Sequence, residues 1–175
     1  KILSHVACAG HEAARPAVAM VPKSAYDWFH TYYRDRALCL SLGVTAAEML
    51  DEAVGAAIDP ASGGRQMPSH WGHKDYNIVS ASSPTGTQLL QAVGSAEASI
   101  RAQMLDITAG FATAEVVLFT TRDGTTSAGE FWESLTSASN LKPPVVSPLD
   151  SPGHSPSAPA AATPTSRPFP TPAPS

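Results

Sequence analysis

Residues 115–135 read EVVLFTTRDGTTSAGEFWESL, and this stretch decides the fold. Its first seven residues, Glu115 to Thr121, form an apolar and β-branched run of strand length, the pattern of a strand covered on both faces in a parallel sheet. Asp123-Gly124 breaks the run. Ser127 with Glu130 then makes an S-x-x-E capping box ahead of a helix carrying Phe131, Trp132 and Leu135. Strand, turn and helix in that order predict an α/β architecture, a mostly parallel sheet flanked by helices. Asp123 stands at the carboxyl end of the strand and next to a helix start, where α/β folds hold a metal-bound phosphate in the crevice. An ordinary Asp-Gly turn accounts for the same dipeptide.

Upstream, Ser62 to Gly94 reads SGGRQMPSHWGHKDYNIVSASSPTGTQLLQAVG. A glycine-hinged loop carrying Arg65, His70 and His73 leads into a short polar run, Ser80 to Thr87, which opens into a helix of small residues. Backbone N–H groups at a helix start lack intrahelical partners and sit at the positive end of the dipole, so an anion is favoured there. The plainer reading is a polar loop before an ordinary helix. His70 is the loop histidine placed near a ligand. His70 and His73 flank Trp71-Gly72 with no carboxylate or cysteine set nearby, so zinc is not expected.

The helix from Thr87 carries Leu89, Leu90, Val93, Ala96 and Ile100 on one side. Thr45 to Ile58 reads as a second helix, with Thr45 and Glu48 as its capping box, Met49, Leu50, Ala53, Val54 and Ala57 as its apolar stripe, and Pro60 as its stop. His11 to Met20 is a third, ended by Pro22. Between these, Tyr26 to Leu42 crowds aromatics around Arg34, Asp35 and Arg36. An arginine held by rings suits a phosphate, while an Arg–Asp surface pair serves equally well as an explanation. Leu141 to Val146 begins a further strand.

With 175 residues and a net charge of -4, the chain fits one domain and offers no basic field, so nucleic acid is not an expected partner. Only Cys8 and Cys39 are present, without a C-x-x-C spacing, which favours a reducing compartment and a cytoplasmic placement. No apolar run is long enough for a bilayer, so no membrane association is expected. Of 16 prolines, eleven lie at or after Pro143, which divides the chain into residues 1–146 and a Pro/Ala/Ser/Thr-rich tail, 147–175. That tail has too little apolar content to offset its ordering entropy and is expected to be disordered.

The segments AGHEA, YYRDRALCLSLG, SGGRQMPSHWGHK, SSPTGTQLLQAVGSA and DGTTSAGEFWESLTSASNLK run in this order from residue 9 to residue 142. Together they resemble the alpha subunit, or the alpha half of a fused alpha–beta chain, of the thiamine-diphosphate-dependent dehydrogenase component of 2-oxo-acid dehydrogenase complexes, of branched-chain or pyruvate type. The resemblance implies a partial thiamine-diphosphate-binding fold and the oxidative decarboxylation of a small 2-oxo acid. It also implies transfer to a lipoyl-bearing acyltransferase core, and a beta subunit or fused beta half that supplies the activating glutamate.

By the same resemblance, Tyr33 and Arg34 reach the cofactor diphosphate, and Ser83 and Thr85 lie against the cofactor. Asp123, with Gly124 and Thr125 beside it, takes the place of the magnesium-binding acid. Ser82, Pro84, Thr87 and Gln88 match positions that wrap a monovalent cation, K+, in some members.

Two departures stand out. Arg122 replaces the first glycine of the family's Gly-Asp-Gly, and Pro152 stands where a metal-ligating asparagine belongs. They predict weak or absent magnesium-dependent binding of thiamine diphosphate and no activity of this chain alone. The alternatives are a non-catalytic remnant that binds a beta-type partner, and a Pro-rich interaction protein built on a small α/β domain. The switch of character near Ser147 is what a shifted reading frame would produce.

Overall fold

The computed structural model describes residues 6–8, 10, 12–107, 110, 112 and 114–150, the last by its backbone alone. The strands are β1 (Trp28–His30), β2 (Ile78–Val79), β3 (Val117–Phe119), β4 (Thr121–Arg122), β5 (Val145–Val146) and β6 (Leu149–Asp150). A parallel sheet has the order β2-β1-β3-β5, with Phe29 beside both Ile78 and Leu118, and Val117 beside Val145. A second, two-stranded parallel sheet pairs β4 with β6. The helices are α1 (Ala14–Ala19), α2 (Arg36–Leu42), α3 (Ala46–Val54), α4 (Thr87–Met104) and α5 (Gly129–Leu141).

Successive strand residues point to opposite faces, and β3 uses both. Leu118 enters a core with Phe29, Leu38, Cys39, Leu42, Met49, Trp71 and Ile78. Val117 and Phe119 enter another, with Leu89, Ala92, Ala96 and Phe131. Apolar cover on both sides is why the run is continuous rather than alternating.

Several expectations need correction. β1 and β2, of three and two residues, are too short to show a period, and neither was expected. Helix α3 ends at Gly55, in the left-handed region at φ 69°, well before Pro60. Leu50 and Val54 of its expected stripe face solvent, while Met49 and Glu52 are buried. The Thr45–Glu48 capping box forms as expected. The Ser127–Glu130 box does not: a 3-10 turn over Asp123–Ser127 intervenes, and Ser127 Oγ donates to the Gly124 carbonyl instead, at 2.9 Å. β5 forms where a strand was expected, and β6 extends ordered backbone past residue 146 to Asp150. His11 and residues 151–175, with Pro152, lie outside the described residues.

Buried charge ties these layers together. Arg15 Nε lies 2.9 Å from Asp35 Oδ1, both side chains fully buried. Asp35 Oδ2 also accepts the Tyr32 N–H at 2.7 Å and the Thr120 hydroxyl. Two more carboxylates organise the loop after α3. Asp59 accepts the N–H groups of Ala61, Ser62 and Gly64. Gly64, at φ 77°, has no room for a side chain, because a Cβ there would lie 2.4 Å from the Gly55 carbonyl oxygen. Buried Glu52 accepts the His70 N–H at 2.9 Å. Burial pushes the Glu52 carboxyl up to about 7, and burial alone pulls His30, 3.1 Å from Ser95 Oγ, down to about 4.

Removing one member of a buried ion pair leaves the other charge uncompensated. Asp35→Asn should therefore lower unfolding free energy by about 3–5 kcal/mol, against less than about 1 kcal/mol for Leu50→Ala on the exposed side of α3. Urea denaturation of both variants checks this.

The two shifted groups act in opposite directions on stability. From pH 4 to 6.5 the unfolded chain binds a proton on His30 that the folded chain refuses, so stability rises with pH. From pH 4.5 to 7 the folded chain keeps a proton on Glu52 that the unfolded chain has released, so stability falls with pH. The slopes offset where the windows overlap. Glu52→Gln, which retains an acceptor for the His70 N–H, should unmask the rising slope and exceed the wild type by roughly 2–3 kcal/mol at alkaline pH. Denaturation across a pH series reads this, and an unchanged profile would mean that Glu52 ionises normally in the fold.

A cationic cleft at the carboxyl end of the sheet

The carboxyl ends of β1, β2 and β4 each run into a segment that the sequence marks as functional. Beyond β1 come Thr31 to Arg34, beyond β2 the Ser80–Gly86 loop, and beyond β4 Asp123. Ligands of open α/β sheets bind at this end.

His70 and Ser83, thirteen residues apart, meet here. Ser83 Oγ is 2.5 Å from His70 Nε2, and His70 Nδ1 is 3.2 Å from the Pro68 carbonyl. A carbonyl only accepts, so Nδ1 carries the proton and Nε2 receives the Ser83 hydroxyl. The loop is held against the polar run by two further bonds, Gln66 Nε2 to the Ala81 carbonyl at 3.2 Å and Ala81 N–H to the Trp71 carbonyl at 2.8 Å. The Tyr33 ring lies 6.4 Å from the His70 ring and 3.9 Å from that of Tyr32, to whose hydroxyl its own is hydrogen-bonded.

Arg34 lies 5.4 Å from the centre of the Tyr33 ring and donates from Nη1 to the Ala7 carbonyl at 2.7 Å. The Arg34–Asp35 surface pair is excluded, since Asp35 turns inward to Arg15 and leaves Arg34 to the cleft. Burial raises the Tyr32 hydroxyl well above its ordinary value, the bond to Tyr33 adds to this, and the charges of Arg34 and Arg122 oppose it.

The polar loop packs on the Asp123 turn through Gly86. Gly86 is at φ 90°, and a Cβ there would sit 3.4 Å from Thr125 Cγ2. Thr125 is buried, and its Oγ1 has no hydrogen-bond partner among the described residues. Asp123 Oδ1 accepts the Gly124 N–H at 2.8 Å. Gln88, also buried, donates from Nε2 to the Thr120 carbonyl at 3.0 Å, and the Thr87 N–H reaches the Pro84 carbonyl at 3.3 Å. Ser82, Ser83, Pro84 and Thr85 are exposed between these anchors.

The geometry thus gathers Tyr33, Arg34, His70 and Ser83 into one cluster and brings the loop with Thr87 and Gln88 against Thr125. His73 lies apart, stacked on Tyr76 at 4.4 Å with Nε2 3.4 Å from Glu48 Oε1. The sequence reading missed Arg15, Tyr32 and Thr120. Nothing distinguishes Arg15 in an alanine-rich stretch, whereas the Tyr-Tyr-Arg-Asp run already placed Tyr32 beside two singled-out residues.

A family described as dehydrogenase E1 component matches residues 1–151. The 2-oxoisovalerate dehydrogenase subunit alpha of Bacillus subtilis (strain 168) is 38% identical over 146 residues, covering 83% of this chain and 42% of that protein. The mitochondrial 2-oxoisovalerate dehydrogenase subunit alpha of Caenorhabditis elegans is 36% identical over 130 residues, 74% of this chain and 27% of that protein. The mitochondrial Homo sapiens subunit alpha is 36% identical over 83 residues, 47% and 17% of the two chains. The chain therefore spans less than half the length of these relatives. Matched over most of its length, the chain belongs to the dehydrogenase E1 component family, on its branched-chain alpha-subunit side.

Proposed function

We propose that this chain supplies the diphosphate-holding half of a thiamine diphosphate site for oxidative decarboxylation of a small branched 2-oxo acid. A beta subunit or fused beta half supplies the opposite wall and the activating acid, and a lipoyl-bearing acyltransferase core receives the product. The observation that carries this reading is the cluster of Tyr33, Arg34, His70 and Ser83 at the carboxyl end of the sheet, with the Arg34 guanidinium over the Tyr33 ring. Thiamine diphosphate, when bound, supplies the carbanion stabilisation that decarboxylation of a 2-oxo acid requires.

The chain's own residues do the holding. Arg34 offers a planar fork to diphosphate oxygens, and stacking against Tyr33 limits its rotamers. Ser83 and Thr85 lie against the cofactor, Ser83 oriented by His70, while Gly124 and Thr125 line the turn. His70, its Nδ1 proton committed to Pro68, offers Nε2 as the atom that takes and returns a proton near the 2-oxo acid. Ser82, Pro84, Thr87 and Gln88 are the positions for K+, a role supported by the tight Pro84–Thr87 turn and the fixed Gln88.

Asp123 is the acid the chain offers to magnesium, which would complete its octahedral shell with diphosphate oxygens and water. Asp123 Oδ1 accepts the Gly124 N–H, which holds the carboxylate in its turn.

The proposal places the protein in the cytoplasm, and no helix among the described residues is long and apolar enough to cross a membrane. It holds the chain inactive alone, because one wall of a shared site orients the diphosphate without activating the ring.

Titration calorimetry of the full chain should show binding of thiamine diphosphate and none of thiamine, with Arg34→Ala weakening the former about 10- to 100-fold, the worth of a charge-assisted hydrogen bond. Turnover of 2-oxoisovalerate should appear only when a beta subunit is added. Equal affinity of Arg34→Ala and wild type would contradict the assignment.

A further inference from the structure

Tyr32 lies beneath the cleft, and the function proposed above gives it no part. Its side chain is 7% exposed, and the residue is pinned at both ends. The backbone N–H is shared between Asp35 Oδ2 at 2.7 Å and Thr120 Oγ1 at 3.1 Å, and the hydroxyl donates to that of Tyr33. The two rings lie 3.9 Å apart with a tilt of 37°. Burial, reinforced by the bond to Tyr33, keeps the proton on the Tyr32 phenol. Tyr33 is only half-buried, with the Arg34 guanidinium 5.4 Å from its ring centre and the His70 ring 6.4 Å away.

A phenol has one proton to give. A Tyr33 oxygen that accepts from Tyr32 keeps its own proton for a further acceptor, and a phosphate oxygen only accepts. Resting on the reading of this cleft as a diphosphate site, we infer that Tyr32 is a positioning residue, which commits the Tyr33 hydroxyl as a donor to the diphosphate. Hydrogen bonds in series polarise one another, so the bond within the tyrosine pair and the bond from Tyr33 to the anion strengthen each other. Tyr32 also braces the ring over which Arg34 rests. It touches no ligand and acts through Tyr33.

The test is titration calorimetry of the full chain with thiamine diphosphate, and separately with inorganic pyrophosphate, both in excess Mg2+. Tyr33→Phe should weaken both ligands about tenfold, the worth of a hydrogen bond to a charged group. Tyr32→Phe, which keeps the ring and loses the hydroxyl, should weaken them about threefold to fivefold. Because Tyr32 acts through Tyr33, the double variant should bind within about twofold of Tyr33→Phe. The tyrosine doublet of the Raman spectrum, which separates donor from acceptor phenols, should move toward the donor side when pyrophosphate is added to wild type. The movement should shrink in Tyr32→Phe, a change that a purely structural role would not produce. Wild-type affinity in Tyr32→Phe, a Tyr32→Phe loss that persists in full on the Tyr33→Phe background, or an unmoved wild-type doublet would overturn the inference and leave the cofactor reading standing. No binding of either ligand by wild type would overturn both.

Discussion

The Arg15–Asp35 pair is the interaction on which the cleft depends. Two charges withdrawn from water incur a large desolvation cost, which is offset only where the geometry is close and the remaining lone pairs are filled. Asp35 meets that condition by taking Arg15, the Tyr32 N–H and the Thr120 hydroxyl together. Those partners come from α1, from the turn after β1 and from the end of β3, so one carboxylate fixes three segments at the carboxyl end of the sheet. The consequence is directional. With Asp35 turned in, the residues before it in the same tight turn, Tyr33 and Arg34, are left to the cleft, where each is half-buried.

The other side of the cleft rests on the same principle at lower charge density. Asp59 and Glu52 occupy backbone N–H groups of an otherwise irregular loop, which holds His70 in place without regular secondary structure. Gly64 permits a backbone approach that any side chain would obstruct, and Gly86 takes a positive φ that other residues rarely adopt. A rigid loop and a rigid turn, joined through His70 and Ser83, give the site a fixed shape before any ligand arrives, which reduces the ordering cost of binding.

The sequence made the central strand, the long helix from Thr87 and the Thr45 cap legible because each carries its signal locally: apolar continuity, apolar periodicity and reciprocal hydrogen bonding over four residues. β1 and β2 left no such signal, since two or three residues cannot show a period and β1 is paired by strands distant in sequence, β2 on one side and β3 on the other. The Ser127–Glu130 box failed for a related reason. The pattern was present, but the Asp123 turn took the Ser127 hydroxyl first. Among the proposed site residues, Tyr33, Arg34, His70 and Ser83 were singled out by the family resemblance and the look of their segments. Arg15 was not, because a lone arginine in an alanine-rich helix reads as solvated until tertiary structure buries it.

The central claim is that Arg34 over Tyr33, the Ser83–His70 contact and the Asp123 turn form one diphosphate site. The most direct measurement is a crystal structure of the full chain soaked with thiamine diphosphate. The account predicts diphosphate density between Arg34, Ser83 and the Asp123 turn, with the Arg15–Asp35 pair intact beneath it. Density elsewhere on the molecule, or none beside Arg34, would contradict it.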